Sequence, residues 1–269
     1  MTAVYAVSDI HGHPEKLKAS LQEAGLTDAD GNWSGQDARL WFLGDFFDRG
    51  PDGIGVLRYV RGLIEQAPDG AIRMLLGNHE ILALGMHKFG DEFVPHDGIT
   101  SRSFERSWVL NGGQDRDQEE LTEDEVAWLL EQPMLGLDAG HLLMHSDTTE
   151  YVEWGDTIDQ INAAARAELH TDDIVVWWEI WRRMTSRYAF RSASGPELAT
   201  VLLQHLGGHR IVHGHSIVAD QLGIDPEFLT EPHLYADGLV LGIDGGAFDG
   251  GPLLLVELEG LSADDDPLD

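Results

Sequence analysis

Residues 4–25 read VYAVSDIHGHPEKLKASLQEAG, and the change of rhythm inside them decides the fold. Val4–Val7 is a short apolar run of strand character that stops at the polar Ser8-Asp9-Ile10-His11-Gly12. Pro14 then opens PEKLKASLQEAGL, whose apolar residues recur at helical spacing, and Gly25 closes it. Strand, polar loop and helix is the unit of an α/β chain. The unit recurs. Leu40–Leu43 runs into Gly44-Asp45, and GIGVLRYVRGLIEQA after Asp52 predicts a helix ending near Pro68. Ala71–Leu76 runs into Gly77-Asn78-His79-Glu80, followed by a helical ILALGMH.

Further along, the order is less regular. Residues 88–120 lack clear periodicity and are rich in Gly, Asp and Arg, so they are expected to be a loop-rich insertion. Thr122 and Glu125 form a capping box ahead of VAWLL, which Pro133 stops. MLGLDAGHLLMH predicts two strands about an Asp138-Ala139-Gly140 turn, the second ending at His145. INAAARAEL, IVVWWEIWRRM and ELATVLLQHL are helical patterns, with Trp177, Trp178 and Trp181 assigned to packing. HRIVHGHS, LVLGIDGG and PLLLVELEG read as strands, and the glycines of GIDGGAFDGG as turn and bulge residues. The expectation is a single domain over 1–261 with an acidic, disordered tail at 262–269.

Composition narrows the chemistry. The chain has no cysteine, which excludes disulfides, thiolate nucleophiles and Cys-ligated metal sites. Acidic residues outnumber basic ones 48 to 17, a formal charge of −31, which disfavours nucleic acid and anionic lipid as partners. Excess acid also serves as an ordinary solvated surface. A phosphate substrate would need local positive charge against this field, and bound divalent cations supply it. No run has membrane-spanning length and the N-terminus has no secretory pattern, so a cytoplasmic protein is expected.

Five apolar strands end in Asp, His or Asn: Asp9 and His11, Asp45 with Asp48-Arg49, Asn78 and His79, His145, and His213 with His215. In α/β sheets ligands gather at the carboxyl ends of strands. This donor set suits manganese, iron or zinc. A pair of ions about 3.5–4 Å apart needs one bridging carboxylate, for which Asp45 is the choice. A lone Asp-x-His often only closes a turn; GDxxDRG followed by GNHE in register with the other strand ends is far more specific.

SDIHG, GDFFDRG, GNHE, the lone His145 and GHS resemble, in order, the motifs of the bacterial branch of the serine/threonine phosphoprotein phosphatase (calcineurin-like) family, and IDGGAFDGGPLLLVEL resembles its closing strands. The resemblance implies an α/β sandwich of two packed mixed sheets with helices outside. It implies two divalent metal ions, manganese first with iron or zinc as alternatives: Asp9, His11 and Asp45 on one, and Asp45, Asn78, His145 and His215 on the other. His79 would be the general acid, Asp48 its orienting partner, and Arg49 a fork on the phosphate oxygens; Asn78 would also touch substrate. A hydroxide bridging the metals would attack phosphorus directly. His213 is expected outside the ligand set, as a support. Among the basic island Arg182, Arg183, Arg187 and Arg191, Arg183 is the candidate second phosphate clamp, with a surface ion pair as the alternative. A phosphorylated protein is the first expected substrate and a dinucleoside polyphosphate or other small phosphoester the alternative. Leu76 before GNHE and Ser146-Asp147 after His145 depart from the eukaryotic phosphatase pattern. A non-catalytic interaction scaffold is the reading from another class, and the presence of Asn78, His79 and His215 speaks against it.

Overall fold

The computed structural model describes residues 2–95 and 102–260; the expected acidic tail and residues 96–101 of the insertion lie outside them. Two mixed sheets pack face to face with helices on their outer sides. The first contains β1 (Val4–Val7), β2 (Arg39–Phe42), β3 (Ile72–Met74) and β9 (Leu255–Leu258) in the order β3-β2-β1-β9. Its first three strands are parallel, and β9 runs antiparallel beside β1, pairing Val7 with Leu255. The second contains β4 (Leu135–Asp138), β5 (His141–Met144), β6 (Arg210–His213), β7 (His233–Tyr235) and β8 (Val240–Gly242) in the order β4-β5-β6-β8-β7, with β5, β6 and β8 parallel.

Strand alternation explains both faces. Val4 and Ala6 of β1 meet Leu143, Val212 and Ile243 of the other sheet in the inter-sheet core, while Val7 faces the helix layer. Strands covered on both sides are apolar throughout, so they read as continuous runs. Trp41 Nε1 donates to Asp138 Oδ2 at 2.8 Å, and Arg39 pairs with Asp138 Oδ1 at 2.8 Å, so one carboxylate of β4 ties the two sheets together at the end opposite the strand carboxyl ends.

The helices are α1 (Pro14–Glu23), α2 (Gly53–Gln66), α3 (Asn78–Phe89), α4 (Phe104–Leu110), α5 (Asp115–Glu120), α6 (Glu123–Leu130), α7 (Ile158–Leu169), α8 (Ile174–Thr185), α9 (Gly195–Leu206) and α10 (Val218–Leu222). The expected capping box at Thr122 is formed: Thr122 Oγ1 accepts from Glu125 N, and Glu125 Oε2 accepts from Thr122 N at 2.9 Å. Trp177 and Trp178 are buried in the core, with Trp181 partly buried against it. None of the described helices is long and apolar enough to cross a membrane.

The expectation of a loop-rich segment at 88–120 needs correction. α4 and α5 occupy much of it, capped at Ser103, whose side chain accepts from Arg106 N. Helices of seven and six residues are too short to display a helical period, which is why the sequence hides them. Phe104 is fully buried between Phe89 and Trp178, so this segment is docked on α3 and α8.

Candidate metal centre

Because β1, β2 and β3 are parallel in one sheet and β5, β6 and β8 in the other, their following loops collect on one edge of the sandwich. Backbone bonds lock the loops together. Asp9 N donates to Gly44 O at 3.1 Å, His11 N to Asp45 O at 3.0 Å, Gly214 N to His145 O at 3.0 Å and Ile243 N to His213 O at 2.9 Å. Asp9, His11, Asp45, Asp48, Arg49 and His215 all have positive φ, between 45° and 67°. Left-handed backbone is unfavourable for such residues, and six together mark loops bent by their surroundings to aim side chains inward.

Asp45 lies at the middle of the cluster. His145 Nε2 is 3.3 Å from its Oδ1, while His11 Nε2 and His79 Nε2 are 3.7 and 4.0 Å from its Oδ2; Asp9 Oδ1 is 3.9 Å from His11 Nε2. Two groups able to hold a cation result, His11-Asp45-His79 and Asp45-His145-His215, all buried and sharing Asp45. Asn78 Oδ1 reaches His145 Nε2 at 2.9 Å and so faces the second group.

The donor set fits cations on three counts. His11 Nδ1 lies 2.8 Å from Phe47 O and His145 Nδ1 2.7 Å from Leu43 O, contacts that place the ring proton on Nδ1 and turn Nε2 inward. His11 Nε2 is buried with no hydrogen-bond partner, although buried polar nitrogens are normally satisfied. Finally, Asp9, Asp45 and Asp244 bring three buried carboxylates together, an arrangement that calls for countercharge. Burial and the neighbouring histidine or arginine charges keep His11 and His215 well below the usual imidazole range, neutral as ligands must be, whereas Asp45 and Asp9 outweigh burial and push His145 up to about 9, so a cation there would take the place of its Nε2 proton. For His215, Nε2 is 3.1 Å from Thr185 O, which leaves Nδ1 for a ligand.

Beside the cluster sits a dyad. His79 Nδ1 is 2.6 Å from Asp48 Oδ2, and Trp108 Nε1 donates to Asp48 Oδ1 at 2.9 Å. Burial disfavours the charged ring of His79, but Asp45 and Asp48 outweigh it and raise its pKa. Arg49 Nη2 lies 3.3 Å from His79 Nε2, its guanidinium is stacked 4.0 Å from the Phe248 ring centroid, and its backbone N–H donates to Gly112 O at 2.7 Å. The α4–α5 segment therefore braces both Asp48 and Arg49.

The expected support His213 and the candidate clamp Arg183 make contacts of their own. His213 has Nδ1 at 2.7 Å from Gly214 O and Nε2 at 2.8 Å from the Tyr235 hydroxyl, so it braces the loop and has no nitrogen free. Arg183 stacks 4.9 Å from the Trp154 ring, and Arg182 pairs with Glu150 and Glu179. The arginine whose charge bears on His215 is Arg187.

Sequence reasoning also missed residues. Asp244 follows β8 just as the other donors follow their strands, and the strand-end rule applied to LVLGID would have found it. Glu80 lies within GNHE without an assigned role; its carboxylate accepts from Asp45 N, Phe46 N and Gly77 N at 2.8, 2.7 and 2.7 Å, pinning the β2 and β3 loops together. Trp108 had no local signature, because its partner Asp48 is 60 residues away.

A sandwich of mixed sheets with clustered Asp, His and Asn at its strand ends defines a metal-dependent phosphoesterase class. Residues 2–219 match the family model described as calcineurin-like phosphoesterase, and the chain belongs to that family. It is 32% identical over 150 residues to the symmetrical bis(5'-nucleosyl)-tetraphosphatase of Hamiltonella defensa, a match covering 56% of this chain and 45% of that protein. The chain thus spans less than half the length of this curated relative. Among solved structures it resembles a cold-active protein tyrosine phosphatase, with a TM-score of 0.71, 23% identity and coverage of 96% and 74% of the two chains. It also resembles a putative diadenosine tetraphosphatase, with a TM-score of 0.53, 15% identity and coverage of 97% and 95%. Both likenesses are of fold.

Proposed function

We propose that the chain hydrolyses phosphoesters or phosphoanhydrides at a centre of two divalent cations, one held by Asp9, His11 and Asp45 and the other by Asp45, Asn78, His145 and His215. The observation that carries this is the convergence of both buried donor groups on Asp45, with the orphaned His11 Nε2 in one of them. When bound, the two cations polarise the phosphoryl oxygens and acidify water, manganese being the first candidate and iron or zinc fitting the same donors.

The remaining steps belong to the protein. Arg49, splayed over Phe248, presents its guanidinium to the phosphate oxygens, and Arg187 replaces Arg183 as the second cationic group. Asp48 fixes the His79 ring through Nδ1, so Nε2–H faces the centre and donates its proton to the departing oxygen as the bond to phosphorus breaks. Asn78, at the first position of α3, is placed to bond a phosphate oxygen as well as a cation.

A nucleoside polyphosphate is the substrate class this reading favours. The curated relative that matches at 32% identity is a bis(5'-nucleosyl)-tetraphosphatase, whereas the phosphatase likenesses support only a fold. The test is turnover of diadenosine tetraphosphate, a phosphotyrosine peptide, a phosphoserine peptide and p-nitrophenyl phosphate by manganese-loaded protein. Nucleoside diphosphate release with the highest kcat/KM is expected. A higher kcat/KM on a phosphopeptide would overturn the substrate assignment and leave the centre standing; silence on all four would favour a scaffold.

A further inference from the structure

The chemistry proposed above leaves Tyr188 and Arg191, in the loop beside His215, without a task. α8 ends at Thr185, whose carbonyl contacts His215 Nε2 at 3.1 Å, and the chain continues as Ser186-Arg187-Tyr188-Ala189-Phe190-Arg191. This loop is anchored through Asp147, two residues after His145. Tyr188 N donates to Asp147 Oδ2 at 2.9 Å and Ala189 N to Asp147 O at 3.0 Å, while Asp147 Oδ1 accepts from Ser216, the neighbour of His215. The loop is thereby held against the two strand ends that supply His145 and His215.

Within it Tyr188 is an anomaly. Its φ is 71°, a conformation that bulky residues rarely adopt, and its side chain is 44% exposed. The guanidinium of Arg191 lies 3.9 Å from its ring centroid, with Nε and Nη2 buried and unpaired by hydrogen bonds. Arg187 stands 5.7 Å from the same ring. A strained backbone that keeps a large aromatic ring 44% exposed, with Arg191 and Arg187 beside it, offers aromatic surface and positive charge to a ligand.

We propose that Tyr188, backed by Arg191, stacks against a nucleobase of a nucleoside polyphosphate whose phosphates sit at the His145 and His215 side of the centre. This rests on the function proposed above and specifies its substrate contact. Arg187, between Tyr188 and His215, meets the phosphate chain joining them. Base stacking on an open aromatic face also tolerates any base, so broad base selectivity follows.

The test is equilibrium binding to manganese-loaded protein of a hydrolysis-resistant matched pair, adenosine 5'-(α,β-methylene)diphosphate and methylenediphosphonate, by calorimetry. Tyr188→Ala is expected to weaken the nucleotide about tenfold, roughly 1.4 kcal/mol, and to leave the bisphosphonate within about twofold. Tyr188→Phe should retain nucleotide affinity, since the ring and not the hydroxyl is used. Equal affinities of wild-type protein for the two ligands, or equal losses for both in Tyr188→Ala, would overturn the stacking role while leaving the phosphate site intact. Binding of neither ligand by wild-type protein would overturn the phosphate site and the stacking role with it.

Discussion

His79 and Asp48 form a pair whose task is set by what surrounds them. Asp48 accepts from His79 Nδ1, and Asp45 and Asp48 raise the pKa of the ring, so in the function proposed above Nε2, beside Arg49, is the nitrogen that serves the leaving oxygen. His79→Asn is expected to keep both cations and to slow alkyl phosphate hydrolysis by about two orders of magnitude or more. p-Nitrophenyl phosphate, whose leaving group needs little protonation, should be slowed far less; equal slowing of both would remove His79 from the acid role. Trp108→Phe removes one hydrogen bond to a buried carboxylate and should lower kcat about tenfold with metal content unchanged, which side-by-side metal analysis and kinetics would check. Asp9, His11, Asp45, Asp48, Asn78, His79, His145 and His215 were legible because each follows an apolar run within a short motif. Trp108 was not, since nothing near it in sequence announces a partner that the fold brings from another element, and Arg187 was passed over because it lies beyond the end of α8, in a loop whose path has no sequence period.

At the scale of elements, the centre depends on close approach between loops. A Cβ on Gly214 would lie 1.9 Å from Ser8 Oγ and 2.2 Å from Asp9 Oδ2, so the β6 loop fits against Asp9 only without a side chain. Gly214→Ala is therefore expected to displace Asp9 and to weaken metal binding by tenfold or more on the order-of-magnitude scale of lost metal-site support, measurable by competition with a chelating dye. Unchanged affinity would show that the loops can part at little cost. The strands of the sandwich were legible from their apolar runs except β7, a three-residue edge strand, His-Leu-Tyr, with no such run. The short α4 and α5 were not, because helices of that length carry no period; α4 is held by the packing of Phe104 and Trp108, and α5 by the buried Asp117, which accepts from Ile54 N of α2.

Across the whole molecule, stability should depend on pH through groups remote from the centre. His141 in β5 is buried, and burial together with Arg210 holds its pKa down to about 4. Between that value and the ordinary 6.5 the unfolded chain binds the proton that the folded chain refuses, so stability is full above about pH 6.5 and is lost as pH falls toward 4, by at most about 3 kcal/mol. Because Glu80 and Asp117, raised to about 7 and about 6, act with the opposite sign in this window, the contribution is read as the difference between wild type and His141→Gln in denaturant unfolding of metal-free protein, which should change as pH falls from 6.5 toward 4. The net charge of −31 acts over the same scale, repelling anions until cations at the centre reverse the local field. That makes the shared carboxylate the hinge of the account. The most direct test is to count bound manganese by mass spectrometry on dialysed wild-type and Asp45→Asn protein while following p-nitrophenyl phosphate hydrolysis. Two ions and manganese-dependent turnover in the wild type, with loss of at least one ion and near-complete loss of turnover in Asp45→Asn, is the predicted result; two ions and full turnover in Asp45→Asn would contradict it.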